Sequence, residues 1–194
     1  MSDYYSVILP TYNEIDNLPI MIYLLHDTFV SNKLKYEVII VDDNSIDGTG
    51  QMAKKLQNHE EFKDHIKILN RPGKLGLGSA YIQGVELCSK DATHVLIMDS
   101  DLSHQAKYIP EFIAKMKSTD CDIVLGTRYE TGGGVVGWPL MRFFMSQVAN
   151  FLADSVLNIN QSDLTGSFRL YKKDAFEKII KSIISSGYAF QMEA

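Results

Sequence analysis

Cysteine is scarce in this chain of 194 residues: it has two, Cys88 and Cys121. Their spacing suits neither a metal site nor a disulfide framework, which points to a reducing compartment and to two small buried hydrophobes. An excess of basic charge is also missing. Nineteen lysines and arginines face 24 acidic residues, for a net charge of -5, which argues against a protein whose main task is gripping nucleic acid through a basic surface. No apolar run approaches the roughly 20 residues needed to span a bilayer. The opening Met1-Ser2-Asp3-Tyr4-Tyr5 turns polar within a few residues, so no signal peptide is expected. The dinucleotide fingerprint Gly-x-Gly-x-x-Gly is absent too. Gly76-Leu77-Gly78 carries Tyr81 where the third glycine would stand, and it follows the third strand rather than the first. It also lacks the Gly-Lys-Ser/Thr of a phosphate-cradling loop, so it reads as a tight turn with close helix packing.

What is present is an ordinary globular composition, 45% apolar and 22% charged, of a size for one domain, or one domain with an appendage. Short apolar runs alternate with amphipathic ones. Strands are expected at Ser6–Pro10, Tyr36–Val41, Ile66–Leu69, Thr93–Met98 and Asp122–Gly126, with helices over about Asp16–Thr28, Thr49–Leu56, Gly78–Cys88 and Lys107–Lys117. That alternation implies βαβ units: an α/β, Rossmann-like fold with a mostly parallel central sheet. After Gly132-Gly133-Gly134 comes a dense apolar stretch, and residues 132–160 read as an acceptor- or membrane-facing helical region. A strand at Phe168–Tyr171 and a helix at Lys173–Ile184 close the pattern.

In parallel sheets ligands gather beyond the carboxyl ends of the strands. Pro10-Thr11-Tyr12, Asp42-Asp43, Asp99-Ser100-Asp101 and Thr127-Arg128 therefore share one rim. Asp99 and Asp101 offer hard oxygen ligands to Mg²⁺ or Mn²⁺, which in turn takes a diphosphate. Asp101 alternatively caps the next helix. Asp43 accepts hydrogen bonds only, which suits a base edge bearing N–H groups, of guanine or of uracil. Backbone of Pro10, Thr11 and Val41 would frame that base, with Tyr12 stacking and Glu14 reaching the ribose or base. Asp42 reads as a turn residue bonding its own backbone. Arg142 and Ser146 lie four apart, on one face of an expected helix. They make a phosphate seat beside an apolar surface, which suits a lipid phosphate, although a solvated arginine fits the pattern too. His104 reads as a helix-entry histidine. Lys74 could face a ligand phosphate, and nothing in the pattern assigns it a role.

With these pieces in place the chain resembles the inverting nucleotide-sugar glycosyltransferases with a single Rossmann-like domain. Among them it is similar to the dolichyl-phosphate mannosyltransferase catalytic subunits. The likeness lies in Leu9-Pro10-Thr11-Tyr12-Asn13-Glu14, residues 42–49, Met98 to His104, Gly126-Thr127-Arg128-Tyr129, Ser162 to Arg169 and Gly187 to Glu193. It implies GDP-mannose as donor, Mg²⁺ or Mn²⁺ as cofactor, and dolichyl phosphate as acceptor at the cytosolic face of the endoplasmic reticulum, serving glycosylation and GPI-anchor synthesis. Docking there would use the membrane surface or small membrane subunits. By the same resemblance Pro10, Tyr12, Glu14, Val41 and Asp43 hold the nucleoside, and Asp99, Ser100 and Asp101 the sugar diphosphate and metal. Arg128, Arg142 and Ser146 would meet the phosphates at transfer.

Two departures from the family pattern stand out. Ser100 replaces the usual alanine and is expected to add a hydroxyl near the sugar or metal. The family also continues past Gln191-Met192-Glu193 with basic residues that close over the donor, so the chain reads as a single domain, 1–194, without that segment. Two rival readings stay open at this point: a UDP-glucose-dependent polyprenyl-phosphate glucosyltransferase and a catalytically silent nucleotide-sugar binder.

Overall fold

The computed structural model describes residues 3–129, 134, 141, 163, 165–183, 187 and 190–193. The region 132–160, with Arg142 and Ser146, lies outside the described residues apart from Gly134 and Met141.

Six strands form one sheet: β1 (Tyr4–Thr11), β2 (Lys35–Asp42), β3 (Ile66–Asn70), β4 (His94–Ile97), β5 (Ile123–Leu125) and β6 (Arg169–Lys172). Their order is β3-β2-β1-β4-β6-β5. β1 pairs in parallel with β2 and β4, and β2 with β3. β6 runs antiparallel between β4 and β5, so β5 points the same way as β4 and the rim of carboxyl ends stays continuous.

Period-two alternation along the strands feeds two cores. Val7, Leu9, Val38, Ile40 and Leu96 pack with α1 (Asn17–Ser31), α2 (Thr49–Gln57) and α4 (Ile109–Thr119) on one face. Ile8, Ile39, Val41, Val95 and Ile97 pack with α3 (Leu77–Glu86), α5 (Lys173–Ser182) and the short α6 (Phe190–Glu193) on the other. Burial of the strands on both faces explains why they read as continuous apolar runs in sequence. No helix among the described residues is long and apolar enough to cross a membrane.

Pro10 departs from its expected place at the strand exit, because β1 continues through it to Thr11. β4 stops pairing with β1 at Ile8↔Ile97, so the missing N–H of Pro10 falls beyond that ladder and breaks no bond with it. The helix after β4 starts later than expected. A 3₁₀ turn over Ala106–Tyr108 precedes α4, with Pro110 in its first turn, where a proline fits.

Candidate active site

The loops after β1 and β2 are locked to each other by their own polar side chains. Thr11 Oγ1 and Ser45 Oγ donate to Asp42 Oδ1 at 3.1 and 2.6 Å, and the Ser45 N–H donates to Asp42 Oδ2 at 3.1 Å. Asp42 is therefore the turn residue expected from the sequence. Across the gap, Asn13 N–H donates to Ser45 Oγ, and Ile46 N–H donates to Asn13 Oδ1. Glu14 N–H donates to Thr49 Oγ1, and Ile15 N–H to Asp47 Oδ2. Asn13 and Asn44 have φ of +57° and +58°, left-handed positions that asparagine tolerates. The polar run from Asp42 to Thr49 is thus largely scaffold, and Asp43 alone is presented to the rim.

These loops open on a cavity of about 420 Å³. Seven of the nine residues assigned to the donor from sequence line it: Pro10, Tyr12, Glu14, Asp43, Asp99, Ser100 and Asp101. Val41, expected to contribute backbone, is not among the lining residues, and its side chain is buried in the core beneath. Arg128 lies outside the lining, at the rim.

Ser100 behaves differently from expectation. Its hydroxyl donates to the Pro10 carbonyl at 2.9 Å, tying β4 to β1 rather than adding a free group to the cavity. Asp101 caps no helix. Its Oδ1 accepts from the Ser103 N–H at 3.0 Å, an Asx-type turn, and Leu102 sits at φ +65° within it.

Asp99 is held at two points, and a third group lies close by. Its N–H donates to His104 Nδ1 at 2.9 Å, its Oδ2 accepts from Ser167 Oγ at 2.7 Å, and His104 Nε2 lies 3.9 Å from that same oxygen. The His104 ring stacks on Phe168 with centroids 5.1 Å apart. Burial pushes the His104 imidazole below the usual histidine value, although the carboxylates of Asp99 and Asp101 pull the other way.

Sequence reasoning missed two further groups. Arg71, whose side chain is 1% exposed, donates from Nε to Asp43 Oδ1 at 2.5 Å, and also bonds Ser79 Oγ and the Gly76 carbonyl. The other is Asp163, which holds Arg128 in a fork: Nε to Oδ2 at 2.6 Å and Nη2 to Oδ1 at 2.7 Å. Burial alone would raise the Asp163 carboxyl, but the Arg128 guanidinium outweighs it and holds the group below its usual value. Lys74 also lines the cavity, its ammonium 3.5 Å from the centre of the Tyr12 ring.

The charge of the cavity is one-sided. Glu14, Asp43, Asp99 and Asp101 face one lysine among the described lining residues. No group of three or more histidine, cysteine or acidic side chains gathers at one point among the described residues, which therefore offer a partial ligand set. Two carboxylates with room beside them fit Mg²⁺ or Mn²⁺, which commonly takes one or two carboxylates and completes its shell with phosphate oxygens and water.

The pattern that defines glycosyl transferase family 2 matches residues 6–180. The chain belongs to that family. It is 33% identical over 189 residues to a polyprenol monophosphomannose synthase of Mycolicibacterium smegmatis, covering 96% of this chain and 69% of that protein. It is 35% identical over 188 residues to an undecaprenyl-phosphate mannosyltransferase of Micrococcus luteus, covering 96% and 74%. Among solved structures it shares its fold with a mannosyltransferase of Pyrobaculum calidifontis in complex with GDP-Man and Mn²⁺. There the TM-score is 0.61 and the identity 18%, over 92% of this chain and 47% of that one. The family 2 chain thus spans about 70% of these two relatives and about half of that structure.

Proposed function

We infer that this family 2 chain transfers mannose from GDP-mannose to the phosphate of a polyprenyl lipid, with inversion. The observation that carries the reading is the meeting of Asp43, Asp99 and Asp101 in one cavity, an acceptor for the base and a cation seat for the diphosphate of a nucleotide sugar. The mannosyltransferase names of the two relatives support the sugar and the lipid phosphate. The GDP-Man complex of the Pyrobaculum enzyme supports the donor.

In this reading Tyr12 stacks on the base, and Asp43 accepts its N–H through the oxygen that Arg71 leaves free. Asp99 and Asp101 would hold Mg²⁺ or Mn²⁺. When bound, that cation neutralises the departing diphosphate and lifts the repulsion that four carboxylates would otherwise impose on it. Arg128, kept in place by Asp163, faces the phosphates at the rim, with Arg142 and Ser146 assigned to the acceptor side.

The acceptor is a phosphate monoester with a second pKa of ~6, hence already largely dianionic at neutral pH. One of its oxygens attacks the anomeric carbon, the carbon–oxygen bond to the diphosphate breaks, and the electron pair leaves on GDP. No proton has to be removed, so no general base is required. Catalysis reduces to placement and charge stabilisation. A single displacement turns the α-linked donor into a β-mannosyl lipid phosphate. In a cell with an endoplasmic reticulum the acceptor is dolichyl phosphate, at its cytosolic face.

The test incubates the chain with GDP-mannose, Mn²⁺ and a short polyprenyl phosphate, with UDP-glucose as rival donor. Mannolipid formation that falls at least a hundredfold in Asp101→Ala is expected. Equal or faster transfer from UDP-glucose would overturn the donor assignment. Saturated against unsaturated lipid phosphates decide whether dolichyl phosphate is preferred.

A further inference from the structure

One described segment that bonds to Asp99 comes from far along the chain. Ser167 and Phe168 precede β6, which runs antiparallel beside β4 with Ile97 opposite Arg169. That register sets Ser167 and Phe168 against the turn after β4. Ser167 is buried and its hydroxyl reaches Asp99 Oδ2. Phe168 is buried as well and forms the platform for the His104 ring.

The hydrogen bonds fix the chemical form of His104. Its Nδ1 accepts the Asp99 N–H, so Nδ1 carries no proton and the ring proton resides on Nε2. Nε2 lies 3.9 Å from Asp99 Oδ2, beyond hydrogen-bond reach, so the ring grips the backbone of Asp99 and leaves its carboxylate to Ser167. Oδ2 is thereby engaged and Oδ1 remains. We propose that His104 and Ser167 are positioning residues for Asp99. One fixes its backbone and the other one of its carboxylate oxygens, so that Asp99 offers a single oxygen to a divalent cation shared with Asp101.

The proposal rests on the metal reading of Asp99 and Asp101 given above. Partners that orient a metal ligand usually matter by about 10- to 100-fold in metal affinity. They should do so here without touching metal or substrate.

The experiment titrates Mn²⁺ into the chain at saturating GDP and counts free ion by EPR. His104→Leu keeps bulk but removes the acceptor, and is expected to weaken Mn²⁺ binding about tenfold or more. His104→Asn places an amide oxygen where Nδ1 was and is expected to restore affinity to within about threefold. Ser167→Ala should cost several-fold. A nitrogen-15 spectrum of the unmodified protein should show the Nε2–H tautomer of His104, a readout independent of any variant's folding. The proposal is overturned by a His104→Leu chain that binds Mn²⁺ as the unmodified one does, by an Asn variant as weak as the Leu variant, or by the Nδ1–H tautomer. Failure of the metal reading has its own signature: GDP binding by the unmodified chain that ignores both Mn²⁺ and Asp99→Ala. That result would overturn the proposal with it.

Discussion

Arg71 and Asp43 form an ion pair that bridges the ends of β2 and β3, with Nε 2.5 Å from Oδ1 and the arginine side chain 1% exposed. The same guanidinium reaches Ser79 in α3 and the carbonyl of Gly76. The Arg71 N–H meanwhile donates to the Asp42 carbonyl at 2.8 Å. One residue therefore fixes how the Asp43 carboxylate is presented to the cavity.

Removing Arg71 should be felt twice. Breaking a buried pair from one side costs about 3–5 kcal/mol, and the cavity beside Asp43 lets water take up part of that. Arg71→Met is expected to lower Tm by about 6–10 °C, at about 2–4 °C per kcal/mol for a chain of this size. GDP affinity should fall at least tenfold. Scanning fluorimetry and calorimetry read the two effects, and a stable variant with intact GDP binding would remove Arg71 from the site.

Asp163 should matter to transfer more than to donor binding. It holds Arg128 through two charge-assisted bonds and also accepts the Arg128 N–H at 3.2 Å. Asp163→Asn keeps the volume and loses the charge. We expect kcat to fall about 10- to 100-fold, in line with the loss of charge-assisted contacts at a phosphate site, with the KM for GDP-mannose changed much less. Steady-state kinetics on both substrates checks this.

Much of this was legible before any coordinates. The strands are continuous apolar runs, and their polar endings mark the rim, so Pro10, Tyr12, Asp43, Asp99 and Asp101 stood out. Arg71 did not, because it begins a Pro-Gly turn where a basic residue looks solvated, and its partners Asp43 and Ser79 lie on other elements. Asp163 and Ser167 were hidden for a related reason. Their meaning depends on β6 inserting beside β4, and local periodicity carries no information about strand order. The hydroxyl of Ser100 was misplaced because sequence cannot show that the Pro10 carbonyl lies 2.9 Å away. His104 looked like an ordinary helix-entry residue, since its bond to Asp99 requires the left-handed turn at Leu102.

At the opposite end of the sheet Glu37 supplies a pH-dependent share of stability. It is buried on β2 and accepts from Ser6 Oγ, the Ser89 N–H and Ser89 Oγ, and pairs with Lys67 at 2.8 Å. Burial raises its carboxyl, but Lys67 and these donors outweigh burial and leave it below its ordinary value of 4.5. A group depressed on folding stabilises fully above its unfolded pKa, and the contribution is lost as pH falls through the folded value. Glu37→Gln should therefore melt below the unmodified chain by a constant margin from pH 7 to 5. The margin should close below pH 4.5. Thermal melts across that range decide it.

Gly84 lets α3 lie against β1. A Cβ there would stand 2.6 Å from Ile8 Cγ2, an overlap that the buried Ile8 cannot easily relieve. Gly84→Ala is expected to cost about 1–3 kcal/mol by overpacking. Combined with Ile8→Ala, the loss should be smaller than the sum of the two singles. Denaturant titrations of the four chains give the coupling.

The antiparallel insertion of β6 also sets a timetable for the growing chain. β5 hydrogen-bonds to β6, and no described strand pairs with its other side. The part of the sheet from β1 to β4 is built from parallel neighbours complete by Ile97. It can assemble while the ribosome is still far from the end. Thr127 and Arg128 cannot take their places until residues 169–172 emerge to bridge β5 to β4, so the Arg128 end of the rim is finished after the Asp43 end. A nascent chain stalled before Arg169 would hold the strands that carry Asp43 and Asp99 before it holds the one that brings Arg128 to the rim.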